Sequence, residues 1–291
     1  MKLRMVHCTT YVYTDAVTTS HHEARLTPRD GEHQRALTHE LTITPEPKTR
    51  RRRFDYFGNR VVHFSLSESH RELEIVSQSE VEVSPGRVPE LATTPPWEDV
   101  RDHLRNTRQR DALDAFAMCM DSPYVVRFAE LAEYAAPSFT PRRPILQAVR
   151  ELVSRVYTDF TYDPRATEVS TPLSDVLQHR RGVCQDFAHL VIGCLRTQGL
   201  AGRYVSGYLL THPPPGKTRL VGADASHAWL STFVPDHGWV DFDPTNDLIP
   251  AGEHVTVAYG RDFSDVTPIR GVILGGGKHQ LRVAVDVVQT E

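Results

Sequence analysis

Residues 1 to about 90 alternate polar and apolar side chains in short runs. The clearest are Met5 to Tyr13, Leu37 to Pro45, Arg60 to Leu66 and Leu73 to Val83. Turn formers separate them at Pro28-Arg-Asp-Gly31, Pro45-Glu-Pro47 and Phe57-Gly-Asn59. Period-two alternation puts one face of a strand in a core and the other in water. Repeated short strands at this spacing predict a small β sandwich or barrel. Within Leu73 to Val83, one face carries Leu73, Ile75, Ser77 and Ser79, the other Glu74, Val76 and Glu80.

The pattern changes after Pro85, Pro89, Pro95 and Pro96. From Trp97 to about Ala136 the apolar residues fall at helical steps: Leu113, Phe116, Ala117 and Met120, then Phe128, Leu131 and Ala132. Pro137 and Pro141-Arg-Arg-Pro144 break that region. A helix over about Ile145 to Tyr157 follows, with Ile145, Val149, Leu152, Val153 and Val156 on one stripe. Phe160 to Thr171 reads as an extended loop, and a short helix opens at Thr171-Pro-Leu-Ser and runs through Gln178. Val183 to Gln198 is the most regular helix: Phe187, Leu190, Val191, Cys194 and Leu195 recur at three and four residues, and Gly199 stands where a C-terminal cap belongs. Strand-like pieces then follow at Gly202 to Leu210, Ser226 to Val234, Gly238 to Phe242, Val255 to Tyr259 and Leu281 to Val288. The expected organisation is α+β: a β-rich unit over 1–90, a helical connector over 91–144, and a second unit over 145–291 whose leading helix packs on an antiparallel sheet.

Composition narrows the function. The 291 residues carry 33 Lys+Arg against 37 Asp+Glu, a formal net charge of −4, and 40% hydrophobic residues. That balance fits a globular chain and excludes wholesale polyanion binding, which rests on a basic surface. Arg50-Arg-Arg-Arg53 is one short cluster without a basic domain, so it reads as a solvated strand or turn edge and no nucleic-acid partner is expected. The first residues, Met-Lys-Leu-Arg-Met-Val-His, show neither an apolar core nor a small-residue cleavage site, so no secretory signal is expected, and no run approaches a membrane span. With four dispersed cysteines and no CxxC pair, the cytoplasm is the expected compartment. His21-His-Glu23 and the pair His63 and His70 lack zinc-site spacing, and no D-x-[DN]-x-[DN]-G calcium loop occurs, so neither metal nor cofactor is expected. Gly275-Gly-Gly277 before Lys278 lacks the rest of a phosphate loop.

Cys184 opens the most regular helix. A helix N-terminus offers unpaired N–H groups and partial positive charge, which stabilise a thiolate, and Gly182 permits a tight entry. The competing reading is a small buried hydrophobe, which suits Cys194 in the apolar stripe. A thiolate nucleophile needs a base, and the base an orienting group. His227 starts the run Ser226-His-Ala-Trp-Leu, and the returning run Gly238-Trp-Val-Asp-Phe-Asp-Pro carries Asp241 and Asp243. Counting across the turn sets Asp243 roughly opposite His227. Asp241 shares its face and is the rival; Asp243 is preferred because Pro244 ends the strand there and holds the carboxylate at the rim.

Gly182-Val-Cys-Gln-Asp-Phe-Ala-His-Leu, Leu195-Arg-Thr-Gln-Gly-Leu with Ala201-Gly-Arg-Tyr-Val-Ser-Gly-Tyr208, His227-Ala-Trp229 and Gly238-Trp-Val-Asp-Phe-Asp-Pro-Thr-Asn246 together resemble the bacterial transglutaminase-like proteins of the papain-like cysteine-enzyme superfamily. The likeness covers about residues 145 to 265, including the stretch Val255 to Val266, and the first ninety residues resemble the N-terminal β domain that precedes this core. It implies Cys184 as nucleophile, His227 as base and then acid, and Asp243 as the acid orienting His227. It also implies a peptide or protein amide substrate attacked to give a thioester, which water or an amine can resolve. Hydrolysis is favoured over cross-linking because free cross-linking of proteins in the cytoplasm would be hazardous. The Cys184 backbone N–H is a natural oxyanion donor, and Gln185, Tyr162 and Trp229 are candidate donors or walls. Phe160 to Thr171 and Thr211 to Gly222 flank the expected cleft as possible lids. The alternative is a binding or scaffolding module that retains the fold with an idle triad.

Overall fold

In the computed structural model, which describes residues 1–86, 88–211 and 226–290, the chain forms two antiparallel sheets and a helical layer. The first sheet is organised on β1 (Lys2–Ala24), a 23-residue strand that spans its whole width. β2 (Gln34–Thr44), β3 (Thr49–Phe54), β4 (Arg60–Leu66) and β5 (His70–Val83) complete the order β2-β5-β1-β4-β3. β5 pairs with the first half of β1 and β4 with the last residues, the register breaking between Val12 and Val17. At that break the sheet curls over its own core, so Tyr13, Val17, Leu41, Phe64, Leu73 and Ile75 form one cluster. On β5 the buried face is Leu73, Ile75, Ser77, Ser79, Val81 and Val83, the alternation read from the sequence. Arg50 to Arg53 lie on β3, an edge strand exposed along its length, as expected of a solvated edge.

The helices are α1 (Trp97–Asn106), α2 (Arg110–Ala117), α3 (Ala129–Ala135) and α4 (Ile145–Asp159). They do not form a separate connector. Val100, Leu104, Ala115, Cys119 and Leu131 share one buried core with Leu152, Leu190 and Phe242. The expected stripe is also rotated: Leu113 and Met120 face solvent, while Ala112, Ala115, Met118 and Cys119 are buried. Alanines carry no strong hydrophobic signal, so the larger apolar residues misled the reading of that face.

After α4 come β6 (Thr161–Tyr162), α5 (Leu173–His179), β7 (Arg181–Gly182) and α6 (Cys184–Thr197). The second sheet is β10 (Gly238–Phe242), β9 (Ser226–Val234), β8 (Gly202–Leu209) and β11 (His254–Gly260), in that order. α6 packs against β8 and β9, and a Schellman closure ends it: Gly199, at φ +73°, lets the Gly199 and Leu200 N–H groups donate to the Arg196 and Leu195 carbonyls. Residues 212–225, which include most of the second expected lid, lie outside the described residues.

After α7 (Phe263–Val266), the chain returns to the first sheet. β12 (Ile269–Gly275) and β13 (His279–Thr290) both pair with β1, on the edge opposite β4 and β5. The strand expected at Leu281 to Val288 therefore does not belong with the second unit, and the end of 145–291 closes the first. Alternation marks a strand but carries no record of its partner. The sheets meet through a layer in which Leu3, Met5, Val81, Val285 and Val287 pack on Tyr208, Val255 and Val257. The free edge of β11 is covered by two side-chain amides from the first unit. Gln34 accepts from the Thr256 N–H at 2.7 Å and donates to its carbonyl at 2.8 Å, and Asn59 does the same at Tyr259 at 2.8 and 2.7 Å. The first unit thus completes an edge strand of the second.

Candidate active site

Cys184 is the first residue of α6 and is partly exposed. Val183 enters in an extended conformation, and its N–H donates to the Asp186 carboxylate at 2.8 Å. Asp186 also accepts from the Thr167 hydroxyl at 2.7 Å. Gly182 is required here because a Cβ at that position would lie 2.7 Å from Asp186 Oδ2. Upstream, β6 and β7 pair in parallel, which holds Tyr162 beside Gly182. The helix start is therefore fixed on both sides of the thiol.

His227 and Asp243 come from adjacent strands of the second sheet. His227 Nε2 lies 2.7 Å from Asp243 Oδ2, with the histidine largely and the aspartate fully buried. The register is not the one expected. Phe242 faces Leu230, which sets Asp243 diagonal to His227, and the side chains close the offset. Burial disfavours a charged His227 ring, but hydrogen bonds to Asp243 and to Cys184, with their charges, outweigh it and push its pKa up to about 10. Asp241, the rival acid, serves elsewhere: it accepts from the Trp229 indole at 3.0 Å and from the Ser231 hydroxyl at 2.5 Å.

The environment of Asp243 was not legible in the sequence. Its Oδ2 also accepts from His254 Nε2 at 2.9 Å and Asn246 Nδ2 at 2.7 Å, and its Oδ1 from the Thr245 and Asn246 backbone N–H groups at 2.9 and 3.3 Å. Burial alone would raise its pKa, yet the donors from His227, His254 and Asn246 hold the carboxyl far below the usual range. His254 is the first residue of β11 and is buried, one place before the apolar run that marked the strand. His227, Asp243 and His254 also form a group whose ligand atoms lie within 4.8 Å of one another, but here those atoms are spent on each other.

The remaining candidates, Trp229, Gln185 and Tyr162, surround this group. Trp229 is fully buried, stacks on His227 at 5.9 Å and meets His254 edge-on at 5.0 Å. Its room comes from Gly207, where a Cβ would lie 2.7 Å from the indole and 1.9 Å from the Val255 carbonyl oxygen. With its N–H on Asp241, Trp229 is not placed as an oxyanion donor. Gln185 donates to the Val169 carbonyl at 3.3 Å, so it ties the 160–171 loop to the helix. Tyr162 is exposed at the mouth, and burial first, then the Cys184 charge, raises its pKa. Tyr204 is buried on β8, and its hydroxyl is raised by burial and then by the same charge; it escaped the sequence reading because a strand tyrosine looks like core. His189 is likewise core: it accepts from the Phe263 N–H at 3.1 Å and stacks on Tyr124.

With the geometry in place, residues 3–82 match the bacterial transglutaminase-like N-terminal region, and residues 132–244 match the transglutaminase-like superfamily. An uncharacterized protein of Mycobacterium tuberculosis, Rv2569c, is 44% identical over 300 residues, spanning 100% of this chain and 93% of that protein. The chain belongs to the bacterial transglutaminase-like family. Its fold agrees with that of "a Putative Cysteine Protease from Cytophaga hutchinsonii", at a TM-score of 0.75 and 21% identity, covering 100% of this chain and 92% of the other. More distantly, a protein-glutamine gamma-glutamyltransferase of Pseudomonas aeruginosa is 29% identical over 107 residues, 34% of this chain and 16% of that protein. Cys184, His227 and Asp243 all lie within the span 132–244 that matches the transglutaminase-like superfamily. No helix among the described residues is long and apolar enough to cross a membrane.

Proposed function

We propose that this protein is a cysteine-dependent enzyme that cleaves or transfers the acyl group of peptide or protein amides through a thioester on Cys184. The observation that carries the reading is His227 held at 2.7 Å from Asp243, with the hydrogen bonding and charge of Cys184 also acting to raise the pKa of the same ring. A raised His227 pKa means that the ring carries a proton at neutral pH, which is the state that pairs with a thiolate.

The thiolate attacks the substrate carbonyl, forming the C–S bond and a tetrahedral oxyanion. The Cys184 backbone N–H stands at the first helical position, where α6 has no use for it, and is available to that oxygen. His227 gives its proton to the leaving nitrogen as the C–N bond breaks, releasing ammonia or an amine and leaving the thioester. Water then attacks as His227 takes its proton back, and the acid leaves with the thiolate restored. Asp243 keeps the ring oriented throughout. An amine in place of water gives cross-linking, and we favour hydrolysis because the partly exposed cysteine is open to water.

The test is incubation with carboxamide and Gln-containing peptides, reading ammonia release and incorporation of a fluorescent primary amine, with Cys184→Ala as control. Ammonia release without amine incorporation, absent in Cys184→Ala, supports hydrolysis. Efficient amine incorporation moves the assignment to acyl transfer. Release of neither product, with Cys184 no more reactive than Cys8, overturns the reading in favour of a binding module.

A further inference from the structure

A concavity lies where the first unit, the β9–β10 turn and β11 meet. It encloses about 870 Å³, within the range of small-molecule sites. Its inner wall is built around a stack of cations and rings. The Arg203 guanidinium lies 4.3 Å from the Trp239 ring centre and 3.7 Å from that of Tyr259, and Arg29 lies 4.4 Å from the same Tyr259 ring. Arg29 is spoken for by the Phe57 carbonyl and Asn59 Oδ1. Arg203 is not: its Nε donates to Ser231 at 3.2 Å, while its terminal nitrogens make no hydrogen bond and no ion pair among the described residues.

The Asp241 charge acts on Arg203, but no acidic side chain in the wall accepts a hydrogen bond from the Arg203 terminal nitrogens among the described residues. Asp241 is engaged by Trp229 and Ser231, Asp30 by Arg60, and the others stand exposed at the mouth. A largely buried guanidinium within 4.3 Å of one ring centre and 3.7 Å of another, with two donor nitrogens that have no partner among the described residues, presents the fork that takes a phosphate or carboxylate. His254, whose Nε2 lies on Asp243, also lines this cavity.

We propose that this cavity binds a small phosphate- or carboxylate-bearing molecule through Arg203, and that its occupancy alters Cys184 reactivity through His254 and Asp243. The second half rests on the reading of Cys184, His227 and Asp243 as one catalytic unit. A ligand beside His254 changes the share of Asp243 that this ring takes, and so the hold of Asp243 on His227, which is a coupling between two distinct sites.

The test titrates the full chain by calorimetry with sodium phosphate and, separately, with citrate at constant ionic strength. Saturable binding of one of them, with a Kd below about 1 mM, weakened roughly tenfold or more in Arg203→Met, is the expected result. Which probe binds distinguishes phosphate from carboxylate chemistry. Saturation should also change the iodoacetamide labelling rate of Cys184 by about twofold or more. The site is overturned if neither probe binds, or if Arg203→Met binds like the wild type; an unchanged labelling rate at saturation overturns the coupling. Should Arg203→Met fail to fold, the wild-type fluorescence decides. A saturable change on titration that vanishes in Trp239→Phe supports the site, and no change overturns it. Failure of the catalytic reading looks different: Cys184 then labels no faster than Cys8 with no probe added.

Discussion

His254 Nε2 lies 2.9 Å from Asp243 Oδ2, the same oxygen that holds His227. One buried carboxylate thus receives two imidazoles, and the second comes from β11, the strand whose free edge is paired by Gln34 and Asn59 of the first unit. The β-rich first unit is in this way mechanically continuous with the site.

Removing that second ring should loosen Asp243 without deleting Cys184, His227 or Asp243, the proposed catalytic set. His254→Ala takes away one of the donors that depress the Asp243 pKa, so the carboxyl protonates at a higher pH. The acid limb of the Cys184 labelling profile should move up by about a unit, while His254→Asn, which restores a donor, should recover most of the difference. A profile identical to wild type in His254→Ala assigns His254 to packing alone.

The pH dependence of the ion pair has a definite sign. His227 is raised from 6.5 to about 10, so the stability that it contributes is fully present below pH 6.5 and is lost as pH rises through about 10. Asp243 is depressed from 3.8, so its contribution is present above pH 3.8 and is lost as pH falls toward its folded value. Wild type should lose stability above about pH 10 while Cys184 labelling stays fast there, since the thiolate needs no proton donor, and His227→Ala should lack the alkaline stability loss and label at pH 7 at a rate lower by roughly 10². Labelling rates and thermal melts across pH, wild type against variant, decide it.

Acid should unfold the protein for a separate reason. Burial pushes His7 and His22 down to about 4 and His189, with burial again the largest cause, to about 3. A ring kept neutral in the fold but free to protonate at 6.5 when unfolded costs stability as pH falls from 6.5 toward 4, on the order of 1 kcal/mol or more per ring. Chemical denaturation at pH 7 and pH 4.5 should show a midpoint well lower in acid. Replacement of His7 by Gln should shrink the difference, and an unchanged difference would remove His7 from the account.

Two glycines make steric predictions of different size. Gly182→Ala sets a Cβ 2.7 Å from the Asp186 carboxylate and 2.9 Å from its Cβ, so the side chain must shift and give up the Val183 contact, and a loss of about 1 kcal/mol or more is expected along with slower Cys184 labelling. Gly207→Ala sets a Cβ 1.9 Å from a backbone carbonyl that cannot yield, so about 3 kcal/mol or more should be lost. Equal melting temperatures for the two variants would contradict the geometry.

Since no calcium-loop motif occurs in the chain, activity should survive dialysis against a chelator. Loss of activity restored by calcium or zinc would assign a role to a metal, with the His227, Asp243 and His254 group the first place to look.

Much of this protein was written in local pattern. The helix at Cys184, its glycine closure at Gly199, the alternation of β5, the exposed arginines of β3 and the hairpin carrying His227 and Asp243 are all set by neighbours within a few residues, and periodicity records such relations directly. Pairings between distant segments leave no such trace. The return of β12 and β13 to β1, the diagonal register that brings Asp243 to His227, the placing of His254 on the same carboxylate and the stacking of Arg203 between Trp239 and Tyr259 join residues far apart in the chain or across strands. A polar residue at the end of a strand looks alike in sequence whether it ends in water or on a buried acid. Only the burial and hydrogen bonding imposed by the packed sheets made His254 a partner of Asp243.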